Sequence, residues 1–479
     1  MSLPRLGTWT LALLAALLLL LLYAVDLGAG SVWNTDDALY AYLVRKMAHA
    51  RSFTIPPWFD YDLGAAYPFG VGYMAAVARV FGADVAGLRA SALLAALLGL
   101  LALPWLARGR AGWLAAGLLA VQPLAFLLSQ RVLHDQLLCA LTIAAMSAYH
   151  RGREPGHGAH LVGAGVACAL ASLTKMGAGL LPLAAIGLDV VLFERRLLRR
   201  GATWAGAAVA VAAPVAWFAL HGELRGIAGA LEHRVTIELA GHGAAAARIP
   251  GAATISTILA GGPPAYAVLG LAAVGAVVGA RRRLPLARLA LAWLATVALA
   301  LAVMRTYLPQ YALAVLPPLA VLAGIALDAA ITARPWAGPA AALLVVALLP
   351  WPAGQAFGAR HADDRVAQLA ARQARAAPGA LLCTVDLYHA ASVLAADRAV
   401  LYLTEDARSR AILHRTFGEE TVPTLAPGDV AARLDAAPSV SCLLSRARLR
   451  ELAPSLRGAY ATIEPDPARL GPDVVLLER

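Results

Sequence analysis

Two adjacent carboxylates near the start of the chain are well placed to do chemistry. Asp36 and Asp37 follow Thr35, a residue type that caps helix N-termini, and they precede apolar positions at helical spacing. The segment is expected to form an amphipathic helix on the outer membrane face, with the acid pair at its N-terminus. A carboxylate in that position could act as a general base towards a hydroxyl. The pair could equally serve only to complement the helix macrodipole.

A third carboxylate, Asp135, opens an apolar stretch and follows His134. An ionisable residue so close to the bilayer is costly, which favours a functional role. The alternative is a structural ion pair with Arg131, four residues earlier on the same predicted helix face.

Lys175 is expected at a tight turn between two apolar spans, with Gly177 and Gly179 close behind it. The chain has only two lysines against 38 arginines. Because lysine provides a compact point charge, its retention at this turn favours phosphate binding. A further outer turn contains Arg305, Tyr307 and Tyr311, which could bind substrate or could form an interfacial aromatic belt.

The composition is that of a membrane protein. Hydrophobic residues make up 60% of the chain and charged residues 14%, and the mean hydropathy is +0.68. Residues 357–479 hold 15 of the 40 basic and 15 of the 29 acidic residues, so the whole net charge of +11 lies in residues 1–356. A nucleic-acid-binding role is disfavoured because the soluble region is neutral.

Eleven membrane crossings are predicted, the first at 8–25 as an uncleaved anchor. The others are expected near 86–107, 112–129, 132–149, 159–174, 176–193, 202–220, 263–280, 287–303, 311–331 and 337–353. Residues 26–85 form the first outer loop, in which 67–82 is a second surface helix. With the N-terminus inside, every short arginine-rich turn falls on the cytoplasmic side, which places the acid pair and residues 357–479 outside.

Residues 357–479 are expected to form a separate small extracytoplasmic α/β domain beside the transmembrane module 1–356. Short apolar runs at 380–385, 399–403, 440–444 and 474–477 predict buried strands, and helical patterns occupy 406–417 and 445–456. Cys383 and Cys442 could pair only if their strands are neighbours. Cys139 and Cys168 lie in apolar spans and are expected to act as small hydrophobes. No nucleotide-binding or zinc-spaced motif is present.

These residues imply one site near the outer surface, with carboxylates at 36, 37 and 135 and cations at 131, 175 and 305. Nucleotide-activated donors are scarce outside the cytoplasm, so the donor should be anchored in the lipid, such as a polyprenyl phosphate that carries a sugar.

At these residues the chain resembles the GT-C superfamily of membrane glycosyltransferases, near the bacterial aminoarabinose-transferase and protein O-mannosyltransferase type. The matching segments are Asp36–Tyr40, Arg131–Asp135, Leu173–Gly177 and Tyr311–Pro317. The chain departs from the family at Ala66–Phe69, where many relatives carry a Lys-Pro-Pro run.

The resemblance implies a polytopic helical bundle of the GT-C kind in which Asp36 is the catalytic base, supported by Asp37 and Asp135. Lys175, with Arg131 or Arg305, would bind the donor phosphate. The residues expected to position substrates are Tyr40, Tyr67, His134, Tyr307 and Tyr311. No cofactor or metal is expected to be required, although a divalent cation is compatible with the acid pair.

The sequence therefore predicts a multi-pass glycosyltransferase of the bacterial inner membrane that transfers a sugar, with inversion, to an extracytoplasmic lipid, glycan or protein. The alternatives are a flippase or polymerase for polyprenyl-linked glycans, a secondary transporter, and a non-catalytic assembly subunit. A transporter would place its ionisable groups near the bilayer midplane, whereas these lie near the outer ends of spans.

Overall fold

The structure is a computed structural model that describes residues 24, 27–28, 36–50, 68–175, 177–220, 250–304, 308–355, 364–386, 400–405, 423, 425–426, 428–463 and 474–479. The predicted first span, the segment 406–417, Tyr67, Arg305 and Tyr307 lie outside these residues, apart from Ala24 within the span. Of Asp36, only the backbone is described.

The described chain is mainly helical, as predicted. Its helices are α1 Asp36–Ala50, α2 Pro68–Phe81, α3 Val85–Leu106, α4 Arg110–Ala120, α5 Pro123–Leu128, α6 Asp135–Gly152, α7 Gly158–Thr174, α8 Leu181–Leu192, α9 Gly201–Leu220, α10 Pro250–Leu259, α11 Pro263–Arg281, α12 Pro285–Val303, α13 Leu316–Ala333, α14 Ala337–Leu348, α15 Asp364–Ala374, α16 Asp429–Ala436 and α17 Arg446–Leu452. Short 3-10 turns lie at Ala178–Leu180, Arg195–Arg199, Pro309–Val315 and Ala453–Ser455.

Five described helical segments are long and apolar enough to cross a membrane: Val85–Leu106, Pro263–Arg281, Pro285–Val303, Pro309–Ala333 and Ala337–Gln355. Each predicted span from 86–107 onwards falls mainly on helical residues among those that the structure describes. The span predicted at 112–129 is broken into α4 and α5. Pro123 starts α5, and the buried Gln122 side chain donates to the carbonyls of Leu118 and Pro264, which fixes the break.

The two predicted surface helices both form, as α1 and α2. The structure adds that α1 is packed into the protein rather than resting on lipid alone, since Leu43, Val44 and Met47 are fully buried. Arg79 of α2 donates to the carbonyl of Met47 at 3.0 Å, and Tyr73 of α2 donates to the carbonyl of Ser91 in α3 at 2.9 Å. These bonds join the first loop to the bundle.

The C-terminal part contains a five-stranded sheet. Its strands are β1 Leu381–Val385, β2 Leu401–Leu403, β3 Val440–Ser445, β4 Ala461–Ile463 and β5 Val474–Glu478. The order is β2-β1-β3-β5-β4, in which the first three are parallel and β5 runs antiparallel to both neighbours. The partly parallel sheet is confirmed, whereas β4 was missed because it has only three residues and is largely exposed.

The two cysteines of the soluble part lie opposite each other on β1 and β3. Cys383 and Cys442 form a disulfide, which meets the condition that their strands be neighbours. Cys139 and Cys168 are free and buried, as expected of small hydrophobes.

Candidate active site

An ion pair between Lys175 and Asp135 forms the centre of the candidate site. The Lys175 Nζ lies 2.7 Å from Asp135 Oδ1, and the two side chains are 14% and 7% exposed. The alternative prediction, a same-face helical pair between Asp135 and Arg131, is wrong in its geometry. Helix α6 begins at Asp135, so Arg131 precedes the helix and does not share its face.

The turn after α7 fixes the position of Lys175. The residue is extended, with φ −153° and ψ 95°, and its carbonyl accepts from Gly179 N at 2.7 Å. A Cβ at position 179 would lie 2.3 Å from the Ala171 carbonyl, and Gly177 has a φ of +83°. Glycine is therefore required at position 179 for close packing and at position 177 for a left-handed backbone.

The acid pair of the first loop is brought to the same place. The buried Asp37 carboxylate accepts a hydrogen bond from the amide of Val132, in the segment that leads into α6. The Tyr40 ring packs edge-to-face on His134, with centroids 4.6 Å apart. Asp36 is the first residue of α1, so its backbone lies next to this contact.

Helix α2 packs against the residues that directly precede Lys175 and Asp135. A Cβ built at Gly70 would lie 3.1 Å from the Thr174 carbonyl and 3.2 Å from the Cβ of His134. Because the smallest residue stands at this contact, α2 can approach both the residue before Lys175 and the residue before Asp135.

A cavity of about 170 Å³ begins at the ion pair and continues between α6, α8, α12 and the 309–315 turn. Lys175 Nζ lies 5.1 Å from the ring centroid of Tyr311, which suits a cation–π contact. The remaining wall is largely apolar; residues that line it include Leu138, Leu181, Trp293, Val297, Leu301 and Met304. A charged end on an apolar slot matches an anionic head group with a hydrocarbon chain.

Most of the predicted site residues that the structure describes lie around the Lys175–Asp135 ion pair. Arg131 lies on the connecting segment 129–134, directly before Val132. Sequence reasoning missed Cys139, Thr142, Trp293 and Gln310, which also line the cavity. Helical spacing from Asp135 could have revealed Cys139 and Thr142, whereas Trp293 comes from a distant helix.

No three His, Cys, Asp or Glu side chains of the described residues lie close enough together to hold a metal ion. The Asp36 side chain is outside that statement, so independence from metal stays a prediction.

Comparisons with known proteins show what this chain is similar to. Residues 65–218 match the model of the dolichyl-phosphate-mannose-protein mannosyltransferase family. No curated protein sequence matches.

Among solved structures, ArnT from Cupriavidus metallidurans bound to undecaprenyl phosphate superposes with a TM-score of 0.70 at 18% identity, covering 98% of both chains. The apo form of that protein gives the same score and identity. The archaeal oligosaccharyltransferase AglB from Archaeoglobus fulgidus, in complex with an inhibitory peptide and a dolichol-phosphate, has a TM-score of 0.54 at 14% identity, covering 94% of this chain and 73% of its own. At these identities the likeness establishes a shared fold.

Proposed function

We propose that this chain, which has the fold of the GT-C membrane glycosyltransferases, transfers a sugar from a polyprenyl-phosphate donor to an extracytoplasmic acceptor. The observation that carries the proposal is the Lys175–Asp135 ion pair at the head of an apolar cavity. The donor phosphate would lie at Lys175 and the start of its prenyl chain along the apolar wall.

The chemistry that we infer is a single displacement. The acceptor hydroxyl oxygen attacks the anomeric carbon, the bond from that carbon to the phosphate oxygen breaks, and the acceptor proton passes to Asp36. Lys175 neutralises the charge that develops on the departing polyprenyl phosphate. Asp37 holds the first loop in place, and Asp135 holds Lys175 in place. One displacement inverts the anomeric centre, and no metal takes part in any of these steps.

Asp135 has a specific part in this scheme. Its carboxylate holds the lysine ammonium at 2.7 Å. A bound phosphate would compete with this carboxylate for the same ammonium, and the carboxylate fixes the position of Lys175. Replacement of Asp135 by Asn should therefore lower the KM for the donor, because the competing charge is removed, and should lower kcat, because Lys175 is less firmly positioned.

The location outside the cytoplasm is part of the proposal. The described turns at 108–110, 151–153, 195–200 and 281–283 are rich in arginine, which favours the cytoplasmic side for that end of the bundle. The Cys383–Cys442 disulfide is of a kind that persists in oxidising compartments. Both support a bacterial inner-membrane protein with its site and C-terminal part outside.

Reconstituted protein with a radiolabelled polyprenyl-phosphate sugar and candidate lipid, glycan and protein acceptors provides the test. Asp36→Ala and Asp36→Asn should lower transfer by about 10²–10⁴-fold, the usual contribution of a general base, without a loss of folded protein. The matched control is Asp84→Asn, since Asp84 caps α3 by accepting from Gly87 N at 2.9 Å and the amide oxygen can still accept.

Normal turnover by the Asp36 variants would remove the mechanism, and an absence of transfer with every polyprenyl donor would remove the function. The product anomer, read by NMR, tests inversion. Transfer that is lost in EDTA and restored by a divalent cation would contradict metal independence.

A further inference from the structure

A second cavity lies at the opposite end of the helical bundle from the candidate active site. Helix α6 begins at Asp135 and its 18 residues rise about 27 Å to its other end, where His150 lines the second cavity. This space measures about 440 Å³ and is bounded by α4, α6, α11, α12, α13 and the two turns at 153–155 and 194–196. It therefore shares no residue with the proposed donor site.

The lining of this cavity combines apolar and charged side chains. The apolar members include Val278, Leu284, Pro285, Leu286 and Ile325. The charged members are Arg153, Arg196 and Arg282 together with three carboxylates. A cavity lined by both kinds of residue suits a ligand with a polar head and a hydrocarbon part.

Two of the three carboxylates are paired with arginines from outside the cavity lining, and the third, Glu194, is paired with Arg196 of the lining. Glu154 lies 3.1 Å from Arg108, which is outside the cavity lining. Asp328 lies 3.1 Å from Arg110, another arginine from outside. Glu194 accepts from Arg196 Nε at 3.0 Å. The two outside arginines thus neutralise acids that would otherwise repel an anion.

Arg282 is different from these residues. It directly follows the last residue of α11, is exposed, and has no carboxylate within ion-pair distance among the residues that the structure describes. His150 adds a buried ring nitrogen, Nδ1, without a hydrogen-bond partner in the described part of the chain. A planar guanidinium presents paired N–H donors that match two phosphate oxygens.

We propose that this cavity binds the phosphate of an anionic phospholipid, with Arg282 as its principal contact and the apolar lining residues against the acyl chains. Basic pockets between transmembrane helices on the cytoplasmic side are suited to such head groups. The site would tie the arginine-rich end of the bundle to anionic lipid independently of catalysis, so the inference does not depend on the proposed reaction.

The test is a titration of the purified full-length protein in neutral detergent with short-chain phosphatidylglycerol, followed by native mass spectrometry. Phosphatidylcholine of the same chain length controls for apolar binding, and inorganic phosphate and glycerol phosphate represent free-phosphate sources. We expect saturable binding of phosphatidylglycerol, weak binding of phosphatidylcholine, and no displacement by either soluble phosphate at equal concentration.

Arg282→Gln should weaken phosphatidylglycerol binding by about fivefold, the usual effect of one arginine near a membrane surface. The matched control is Arg281→Gln, the adjacent exposed arginine, which does not line the cavity and should leave binding unchanged. Arg282→Lys should lie between the wild type and Arg282→Gln, because charge is kept and the planar fork is lost.

Three results would overturn the proposal. Equal losses in the Arg281 and Arg282 variants would mean a diffuse surface charge, and unchanged binding in Arg282→Gln would mean another site. Displacement of the lipid by inorganic phosphate or glycerol phosphate at equal concentration would mean that the cavity takes free phosphate and not a lipid.

Discussion

Helix α6 has a buried ion pair at each end, and the two pairs are built differently. At its start, Asp135 and Lys175 meet at 2.7 Å beside an apolar cavity. At its other end, Arg153 directly follows the helix and lies 2.9 Å from Asp189, with exposures of 5% and 0%. The Arg153 guanidinium also stacks over Tyr149, 4.7 Å from the ring centroid.

The second pair is enclosed by further polar partners. Tyr149 donates to Asp189 at 2.6 Å, and Arg153 donates to the carbonyl of Pro285 at 3.3 Å and lies 3.8 Å from Glu194. Arg153 also lines the second cavity, but Asp189 lines none of the described cavities, whereas both members of the Lys175–Asp135 pair line the first one. A carboxylate enclosed by protein stabilises the fold through its cation, whereas a pair that borders a cavity with both side chains can be opened by a ligand. The comparison therefore distinguishes an ion pair that stabilises the fold from an ion pair that takes part in binding.

The largest effect is expected when the enclosed pair is broken. Arg153→Met leaves the Asp189 carboxylate buried without its cation and should lower the free energy of unfolding by about 3–5 kcal/mol. Thermal unfolding of the purified protein measures this loss. Arg153→Met combined with Asp189→Leu should recover most of it, because both charges are then absent; a double variant no more stable than the single one would contradict this account.

Breaking the Lys175–Asp135 pair is expected to have a smaller effect on stability and a large effect on activity. Lys175→Met should lower kcat by about 10²–10³-fold, as is usual when one group that stabilises developing charge is removed. Its unfolding temperature should stay close to that of the wild type, since Asp135 borders a cavity. Lys175→Arg should keep part of the activity. If Lys175→Met lowers the unfolding temperature as much as Arg153→Met does, the proposed distinction between the two ion pairs is wrong.

The turn that positions Lys175 provides a third comparison. Gly179→Ala places a methyl group against the Ala171 carbonyl and should cost about 1–3 kcal/mol of stability, with a fall in kcat because the lysine turn moves. Gly187→Ala, in the helix after this turn, meets nothing within 4 Å and is the control. Equal effects of the two substitutions on unfolding temperature and turnover would exclude the packing argument.

The smallest effect is expected in the C-terminal part. The Asp435 carboxylate accepts from the Arg457 and Gly458 amides at 2.8 and 2.9 Å and from the Tyr460 hydroxyl at 2.8 Å. The Arg457 amide bond is the largest cause that lowers the pKa of Asp435 below its ordinary value. Because the folded pKa is lowered, the stabilisation is present above the unfolded pKa and is lost as pH falls through the folded one.

Hydrogen exchange of the 456–460 amides, compared between wild type and Asp435→Asn at each pH, measures this contribution. Protection should be greater in the wild type at pH 7, and the difference should shrink as the pH falls below the usual carboxyl range. A difference that does not depend on pH would assign the effect to shape rather than charge.

Much of the architecture was predictable because hydropathy is a local property. Long runs of apolar residues located ten described helical segments, and short apolar runs located four of the five described strands. The packed position of α1 was not predictable, since its apolar face fits protein or lipid equally well. The break at Gln122 depends on a carbonyl of Pro264, 142 residues away in the chain.

The sequence alone predicted that Asp36, Asp37, Asp135 and Lys175 would lie near membrane ends, because charges are too costly to place deeper in lipid. It did not determine which of them meet. Asp135 could pair with Arg131 from its own segment or with Lys175, 40 residues later, and only the packing of α6 against α7 decided between them. The start of α6 at Asp135 excludes Arg131 from its face, so the choice of partner depends on where one helix begins and another ends.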